Sequence, residues 1–163
     1  MASCSPERLA EDWKQLDPPI PAPEFTLQKL DGGSVTLSEL RGRVVIMEFW
    51  ATWCGPCRQS TPSLDAVFRR FRNQGVSVLL VNAGEDPAVV RKWVERRFVA
   101  PVLLDEEHAV ARRYGVSGIP RLLIINQAGQ IIYDHSGYRG GLERNLTSIL
   151  EGLLRQPVSS SRA

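Results

Sequence analysis

The 163-residue chain has little of several features that would identify a protein class at once. Its three cysteines are too few for a small secreted scaffold held together by disulfides. No apolar run approaches the roughly 18 residues of a membrane-spanning helix. Twenty Lys and Arg against 18 Asp and Glu give a net charge of +2, which is too weak a balance to indicate nucleic-acid binding. These absences, with 43% hydrophobic and 23% charged residues, leave a soluble globular protein with one hydrophobic core.

The two ends of the chain differ from its middle. Five of the eleven prolines fall within the first 23 residues, and four of these lie between Pro18 and Pro23, which predicts a stiff, extended segment. Ahead of it, a serine cap and a proline in the first turn predict a short surface helix over residues 5–16. We therefore predict a tail or spacer over 1–19, one domain over 20–156 and a frayed tail over 157–163.

From residue 25 onward, the chain alternates between strand-like and helix-like stretches. Residues 44–50, VVIMEFW, form a largely apolar run that is typical of a central strand buried on both faces. Strands that alternate with helices and end in a hairpin predict an α/β fold, with a mixed central sheet and helices on both faces. The predicted strands cover 44–50, 76–82 and 101–105, with hairpins over 25–37 and 121–136, and the predicted helices cover 57–73, 86–98, 107–114 and 140–155.

The most informative segment is Trp53-Cys54-Gly55-Pro56-Cys57, at the end of a predicted strand and the start of a predicted helix. Two intervening residues place both sulfurs within disulfide reach across one helical turn. The junction puts Cys54 at a helix N-terminus, where free backbone N–H groups and the macrodipole favour a thiolate. Because a thiolate is the attacking species, we predict that Cys54 is the nucleophile and that Cys57 resolves the mixed disulfide.

Such a pair has two other interpretations, half of a zinc site or an inert structural pair. Zinc needs about four ligands, and only Cys4, His108 and His135 remain, all isolated in the sequence. Redox chemistry is therefore the favoured interpretation. We expect no metal, and no cofactor beyond the Cys54–Cys57 couple. The two histidines are expected at the surface.

The segment FWATWCGPC, followed by Pro62 and later by Gly118-Ile119-Pro120, resembles the thioredoxin superfamily over roughly residues 22–155. The resemblance implies a thioredoxin fold, in which Ile119-Pro120 is a cis peptide against the cysteine pair and the preceding backbone pairs with a substrate peptide. Arg121, which stands where thioredoxins usually have threonine, could favour acidic partners. The residues implied for substrate binding are Trp53, Gly55, Pro56, Ile119, Pro120 and Arg121.

An N-terminal hairpin and an inserted helix and strand, over about 86–104, distinguish the chain from a minimal thioredoxin. This extended pattern is similar to the TlpA/ResA-like thiol–disulfide oxidoreductases, which are mostly bacterial, exported and membrane-tethered. Many of them reduce specific disulfides, for instance on apocytochromes. The resemblance implies an enzyme that reduces protein or peptide disulfides and is recharged by an upstream reductant. Many members carry a glutamate three residues after the second cysteine, and Ser60 at that position weakens an assignment to cytochrome c biogenesis.

Two other functions stay open. One is a thiol peroxidase, although the peroxidase relatives lack this tight cysteine pair. The other is a copper-binding or copper-delivery module on the same fold. Such modules usually need further Met or His ligands near the pair, and Met47 is the only nearby candidate in the sequence.

Glu48 is a charged residue inside the apolar run, where burial is costly unless the carboxyl is paired or its pKa rises. Strand alternation puts it on the side on which Cys54 could lie. In thioredoxins an aspartate at the matching position helps to deprotonate the resolving cysteine, so the resemblance implies the same role for Glu48. The lysine that accompanies that aspartate is matched here by Leu80, which predicts a further rise in pKa. The alternative is a strand residue without a role.

Met1-Ala2-Ser3-Cys4 resembles the end of a bacterial lipobox, although no charged and apolar leader precedes it. We expect a protein of the bacterial periplasm or one tethered to a membrane through Cys4, with the Pro-rich stretch as spacer. A cytoplasmic location is the alternative. We also expect a monomer. We expect no nucleic-acid partners, because the short arginine runs on the predicted helices are typical of solvated faces.

Overall fold

The computed structural model describes residues 13–156, which form an α/β structure with helices on both faces of one mixed sheet. This architecture confirms the predicted fold class. The strands are β1 (Lys14–Pro21), β2 (Thr26–Lys29), β3 (Ser34–Thr36), β4 (Val44–Trp50), β5 (Val76–Ala83), β6 (Val102–Asp105), β7 (Arg121–Ile125) and β8 (Gln130–Ser136). The helices are α1 (Cys57–Phe71), α2 (Pro87–Val94), α3 (Ala109–Arg113) and α4 (Leu142–Arg155), and a 3-10 helix spans Leu37–Leu40.

The eight strands follow the order β1-β8-β7-β4-β5-β6-β2-β3. Strand β4 pairs in parallel with β5, and β5 in parallel with β6, whereas the other neighbouring strands are antiparallel. All seven residues of β4 are buried. The continuous apolar run is explained by this position, because β4 has a strand on each side and helices on both faces.

Alternation along β4 divides the interior into two cores. Val44, Ile46 and Trp50 face α1, α2 and α4, whereas Met47 and Phe49 face α3 and the 3-10 helix. The helices turn apolar stripes toward these cores, such as Leu142, Leu146 and Leu150 on α4. Cys54 and Cys57 belong to the first core.

The N-terminal part of the domain differs from the prediction. Residues 14–19, which the sequence assigns to the tail, lie in β1 and extend the sheet by pairing with β8. The helix predicted over 5–16 is therefore wrong from Lys14 onward, and residues 5–12 lie outside the described residues. Prolines are compatible with β1 because it is an edge strand, which needs only half of its backbone donors.

His135 is the second correction, because it is buried on β8 instead of exposed. Its ring lies 4.9 Å from that of Trp13, which is itself buried, so the residue just before β1 covers the histidine. His108 is exposed, as predicted. The helix predicted over 86–98 ends earlier, at Val94, because Glu95 adopts a positive φ of 43°. Within residues 13–156, no helix combines the length and apolar character that crossing a membrane would need.

Candidate active site

The two cysteines lie where β4 gives way to α1. They form a disulfide with a Cα–Cα distance of 5.2 Å, and only 4% of Cys54 and 1% of Cys57 is exposed. The backbone N–H of Cys57 donates to Sγ of Cys54 at 3.3 Å. The first sulfur thus lies at the N-terminus of α1, where this N–H and the helix dipole stabilise a thiolate once the disulfide is reduced.

The Ile119–Pro120 peptide is cis, as predicted, and lies beside the disulfide. The carbonyl oxygen of Ile119 is 3.7 Å from Sγ of Cys54. The sheet brings them together, because β7 runs antiparallel to β4 and pairs Arg121 with Phe49 close to the end of β4. The start of one strand and the end of the other therefore meet at one edge.

Around the buried Cys54 sulfur, the surface is formed by exposed residues. Trp53 is 70% exposed, and Gly55 and Pro56 are exposed on the other side of Cys54. An exposed indole next to a reactive sulfur offers apolar contact area to a bound chain. These three residues and Ile119 are thus placed where the sequence predicts substrate contact.

Arg121 is engaged in a way that the sequence did not predict. Its guanidinium forms a two-point ion pair with Asp134 on β8, at 2.5 and 2.7 Å. Its neighbour Leu122 pairs with Glu48, so alternation puts Arg121 on the opposite face of the sheet from that carboxyl. The charge of Arg121 is neutralised within the fold, which removes the basis for expecting it to attract acidic partners.

Glu48 is fully buried in the core that also contains Cys57. Its neighbours across the sheet are Leu80 on β5 and Leu122 on β7, so no cation faces it along the sheet. Burial raises the pKa of Glu48 from its ordinary 4.5 to about 7, and two hydrogen bonds oppose part of that rise. The carboxyl therefore changes its protonation state near neutral pH, as a proton acceptor for a thiol should.

The two hydrogen bonds come from the first turns of α1. The hydroxyl of Ser60 donates to Oε2 of Glu48, and that of Thr61 to Oε1, both at 2.5 Å. The Ser60 hydroxyl also lies 3.4 Å from the carbonyl oxygen of Cys57. Glu48 is thereby fixed to the same helical turn that carries Cys57. Sequence reasoning noted Ser60 only as a departure from the family and missed Thr61, although two hydroxyl groups on the inner face of a helix require a buried partner.

Replacing Ser60 with alanine should raise the pKa of Glu48 by about one to two pH units, because a hydrogen bond to the charged form is lost. The infrared band of the protonated carboxyl group should persist to correspondingly higher pH. Ser63 on the same helix donates to the carbonyl of Gln59 and does not touch Glu48. Ser63→Ala should therefore leave the band's titration unchanged, and equal shifts in both variants would contradict this assignment.

A second polar group, also missed from the sequence, holds the loop that carries Cys54. The Glu85 carboxylate accepts hydrogen bonds from the N–H and hydroxyl of Thr52, at 2.9 and 2.5 Å, and from the Asn82 amide, at 2.7 Å. Thr52 and Asn82 are both buried. Because β4 and β5 are parallel, the segments after both strands lie at one edge, which is the signal that could have identified this contact.

Glu85→Ala should destabilise the fold by about 2 kcal/mol, because the buried donors of Thr52 and Asn82 lose their acceptor. Turnover of any substrate at Cys54 should fall as well, since the loop before it is no longer fixed. Urea unfolding and a disulfide-reduction assay measure the two effects. The exposed Glu106 is the control, and a Glu106→Ala variant with equal loss would contradict the role of Glu85.

No group of three or more His, Cys, Asp or Glu side chains within residues 13–156 is arranged to hold a metal ion. Cys4 lies outside the described residues.

The sheet order, the cis peptide and the disulfide at the start of α1 define the class of the protein, a thioredoxin-fold protein with a Cys-x-x-Cys redox site. The family model for Redoxin matches residues 19–150. The chain belongs to this family, as a TlpA/ResA-like member of the thioredoxin superfamily.

Individual relatives agree with this placement. The thiol-disulfide oxidoreductase ResA of Halalkalibacterium halodurans is 34% identical over 117 residues, which cover 71% of this chain and 66% of that protein. The chain spans about two thirds of the length of the curated relatives that it matches. A structure named for the thiol:disulfide interchange protein DsbE of Chlorobium tepidum is 33% identical, with a TM-score of 0.75 over 83% of this chain and 96% of that one. The exposed lipoprotein thioredoxin Etrx1 of Streptococcus pneumoniae is 26% identical, with a TM-score of 0.71 over 80% and 100%.

Proposed function

We propose that the protein is a thiol–disulfide oxidoreductase that reduces disulfides of protein or peptide substrates. The observation that carries this proposal is the Cys54–Cys57 disulfide at the N-terminus of α1, against the carbonyl of Ile119. The curated relatives named thiol-disulfide oxidoreductase support it. The Cys54–Cys57 couple is the redox group of the reaction, and no other cofactor takes part.

The reaction begins with both cysteines reduced. The Cys54 thiolate attacks one sulfur of the substrate disulfide, so that a mixed disulfide forms and the other substrate sulfur leaves as a thiolate. Ionised Glu48 accepts the proton of the Cys57 thiol, directly or through one water. The Cys57 thiolate then attacks Sγ of Cys54 and displaces the second substrate sulfur. The substrate has gained two electrons, and the Cys54–Cys57 disulfide is restored.

The surface around Cys54 suits a polypeptide substrate. The carbonyl of Ile119 lies beside Sγ of Cys54, the attacking sulfur, where it can accept a hydrogen bond from an extended chain. Trp53, Gly55 and Pro56 supply an exposed and mostly apolar rim. Pro120 shapes the groove by holding Ile119 against Cys54. An upstream dithiol reductant recharges the protein by the same exchange in reverse.

Insulin reduction by the purified protein, with dithiothreitol as reductant, tests the proposal. We expect turnover that disappears in both Cys54→Ser and Cys57→Ser, whereas Cys4→Ser retains it. Hydrogen peroxide consumption and copper binding are measured on the same preparations. Absence of insulin reduction together with peroxide turnover, or with copper binding that needs both cysteines, would overturn the proposal in favour of the corresponding alternative.

We further propose that the protein acts as a monomer outside the cytoplasm, tethered to a membrane through Cys4. The name of the pneumococcal relative, an exposed lipoprotein, supports the location. Apocytochrome c is one candidate substrate in that compartment, although Ser60 occupies the position of the family's usual glutamate. Fractionation of cells that express the native gene, with and without Cys4→Ser, tests the tether. Recovery of both forms in the soluble fraction would contradict it.

A further inference from the structure

A cleft of about 420 Å³ opens beside the redox site, between α1 and the end of the inserted helix α2. Arg58 and Pro62 of α1 form one wall. Trp93 of α2, with Arg97 and Phe98 just after it, forms the other. Arg58 directly follows Cys57, so the cleft begins one residue from the active disulfide.

The apolar wall of this cleft is held by a row of aromatic rings. The ring of Trp50, fully buried at the end of β4, lies 5.2 Å from that of Trp93. The ring of Trp93 lies in turn 5.8 Å from that of Phe98. This row connects the central strand to the surface. Because these rings are already held by their neighbours, a ligand that packs on them does not pay the entropy of ordering their side chains.

Both arginines of the cleft carry a charge that the fold does not neutralise. The Arg97 guanidinium lies 5.3 Å over the Trp93 ring, and Nη2 of Arg58 donates to the Thr52 carbonyl at 3.4 Å. Within residues 13–156, neither of them forms an ion pair with a carboxylate. Arg121 shows the contrast, because Asp134 pairs with it at two points. The exposed residues Arg91, Lys92 and Arg96, on α2 and the turn after it, add positive charge. Two nearby carboxylates are already engaged, because Asp65 pairs with Arg69 and accepts from two N–H groups, and Glu85 accepts from Thr52 and Asn82. Glu95 is exposed.

We propose that this cleft binds an acidic segment of the substrate polypeptide, with a carboxylate held between Arg58 and Arg97 and an apolar neighbour on Trp93 and Phe98. Planar guanidinium groups recognise carboxylates in a two-point geometry, and both are already positioned by their contacts with the ring and the backbone. Arg58 adjoins Cys57 and contacts Thr52, two residues before Cys54. The acidic residues therefore lie within a few positions of the substrate cysteine that bonds to Cys54. This inference rests on the proposed function.

Synthetic peptides that differ only near one disulfide-bonded cysteine test the cleft. In one series a pair of adjacent glutamates is placed at different distances from the cysteine, on its N-terminal or its C-terminal side. A second series carries a pair of glutamines at the same positions, and a third a pair of lysines. We expect kcat/KM for the best glutamate peptide to exceed that for its glutamine counterpart by about tenfold at low ionic strength. The preference should shrink as salt is added. Arg58→Gln and Arg97→Gln should each reduce it to about threefold. The double variant with Arg58→Glu and Arg97→Glu should prefer the lysine peptide.

The matched control is Arg112, an exposed arginine on α3, which packs on the opposite face of the sheet. Arg112→Gln should keep the tenfold preference. Equal rates for glutamate and glutamine peptides, or equal losses in Arg97→Gln and Arg112→Gln, would overturn the acidic subsite. Failure of the wild-type protein to reduce any of the peptides or insulin would instead overturn the proposed function. The two failures are therefore distinguishable.

Discussion

Replacing Cys57 with serine should trap the substrate on Cys54 as a stable mixed disulfide, whereas Cys54→Ser should trap nothing. The reason is positional. The sulfur of Cys54 lies at the helix N-terminus, where the Cys57 N–H donates to it, and its neighbour Trp53 is exposed. Both cysteines are buried, with 4% of Cys54 and 1% of Cys57 exposed, so the position at the helix N-terminus decides between them. Without Cys57 the attack still occurs, but no second thiol displaces the product. Turnover should fall at least about a thousandfold in both variants, as for other essential nucleophiles.

Intact-mass measurement under non-reducing conditions distinguishes the two variants. Incubated with a disulfide-linked peptide, Cys57→Ser should gain the mass of one peptide chain, and dithiothreitol should remove it. Both variants should be made in a Cys4→Ser background, so that no third thiol competes. If Cys57 proved more sensitive than Cys54 to alkylation in the reduced protein, the roles assigned to the two cysteines would be reversed.

Local sequence signals were sufficient where one stretch of chain determines the result. The apolar run of residues 44–50 predicted β4, and Cys54-Gly55-Pro56-Cys57 predicted the disulfide at the start of α1. The cis peptide before Pro120 required the resemblance to thioredoxins, because most X-Pro bonds are trans.

The contacts that the sequence did not reveal join residues far apart in the chain. Strand β1 forms because its backbone pairs with β8, more than a hundred residues later in the chain. Its prolines are more typical of a spacer than of a strand, so the sequence predicted a spacer. Trp13 is buried partly by ring contacts with Tyr133 and His135 on β8, which the sequence around Trp13 does not indicate. The partners of Glu48 could not be assigned either, since they depend on how α1 lies across β4.

The second large effect is expected for Glu48→Gln, in the step that resolves the mixed disulfide. A glutamine cannot accept the proton of the Cys57 thiol, and loss of a general base costs roughly a hundredfold or more in the step that it serves. In the wild-type protein this step should accelerate as pH rises through about 7, the pKa of Glu48. The variant should lack that rise, and the first attack by Cys54 should change much less. Stopped-flow tryptophan fluorescence can follow the two phases, since Trp53 directly precedes Cys54.

The same substitution should make the fold more stable at neutral and alkaline pH. In the folded protein Glu48 titrates at about 7, whereas its ordinary value is 4.5. Below pH 4.5 the carboxyl is protonated in both the folded and unfolded states, so its ionisation does not change the free energy of unfolding. As pH rises from 4.5 to 7, only the unfolded state ionises, and the free energy of unfolding falls by roughly 3 kcal/mol. Glu48→Gln removes this loss, so urea unfolding should show equal stabilities near pH 4 and a more stable variant above pH 7.

The surroundings of Glu48 can accept the amide. Oε1 can still accept from Thr61, while the new NH₂ group can donate to the Ser60 hydroxyl, which then donates to the Cys57 carbonyl, 3.4 Å away. The surface variant Glu107→Gln should alter neither the kinetics nor the stability, because that residue is exposed. A slower resolving step on a more stable fold identifies a buried base that is retained for catalysis at a cost in stability. Unchanged resolution in Glu48→Gln would leave the carboxyl as a packing residue and require another proton acceptor for Cys57.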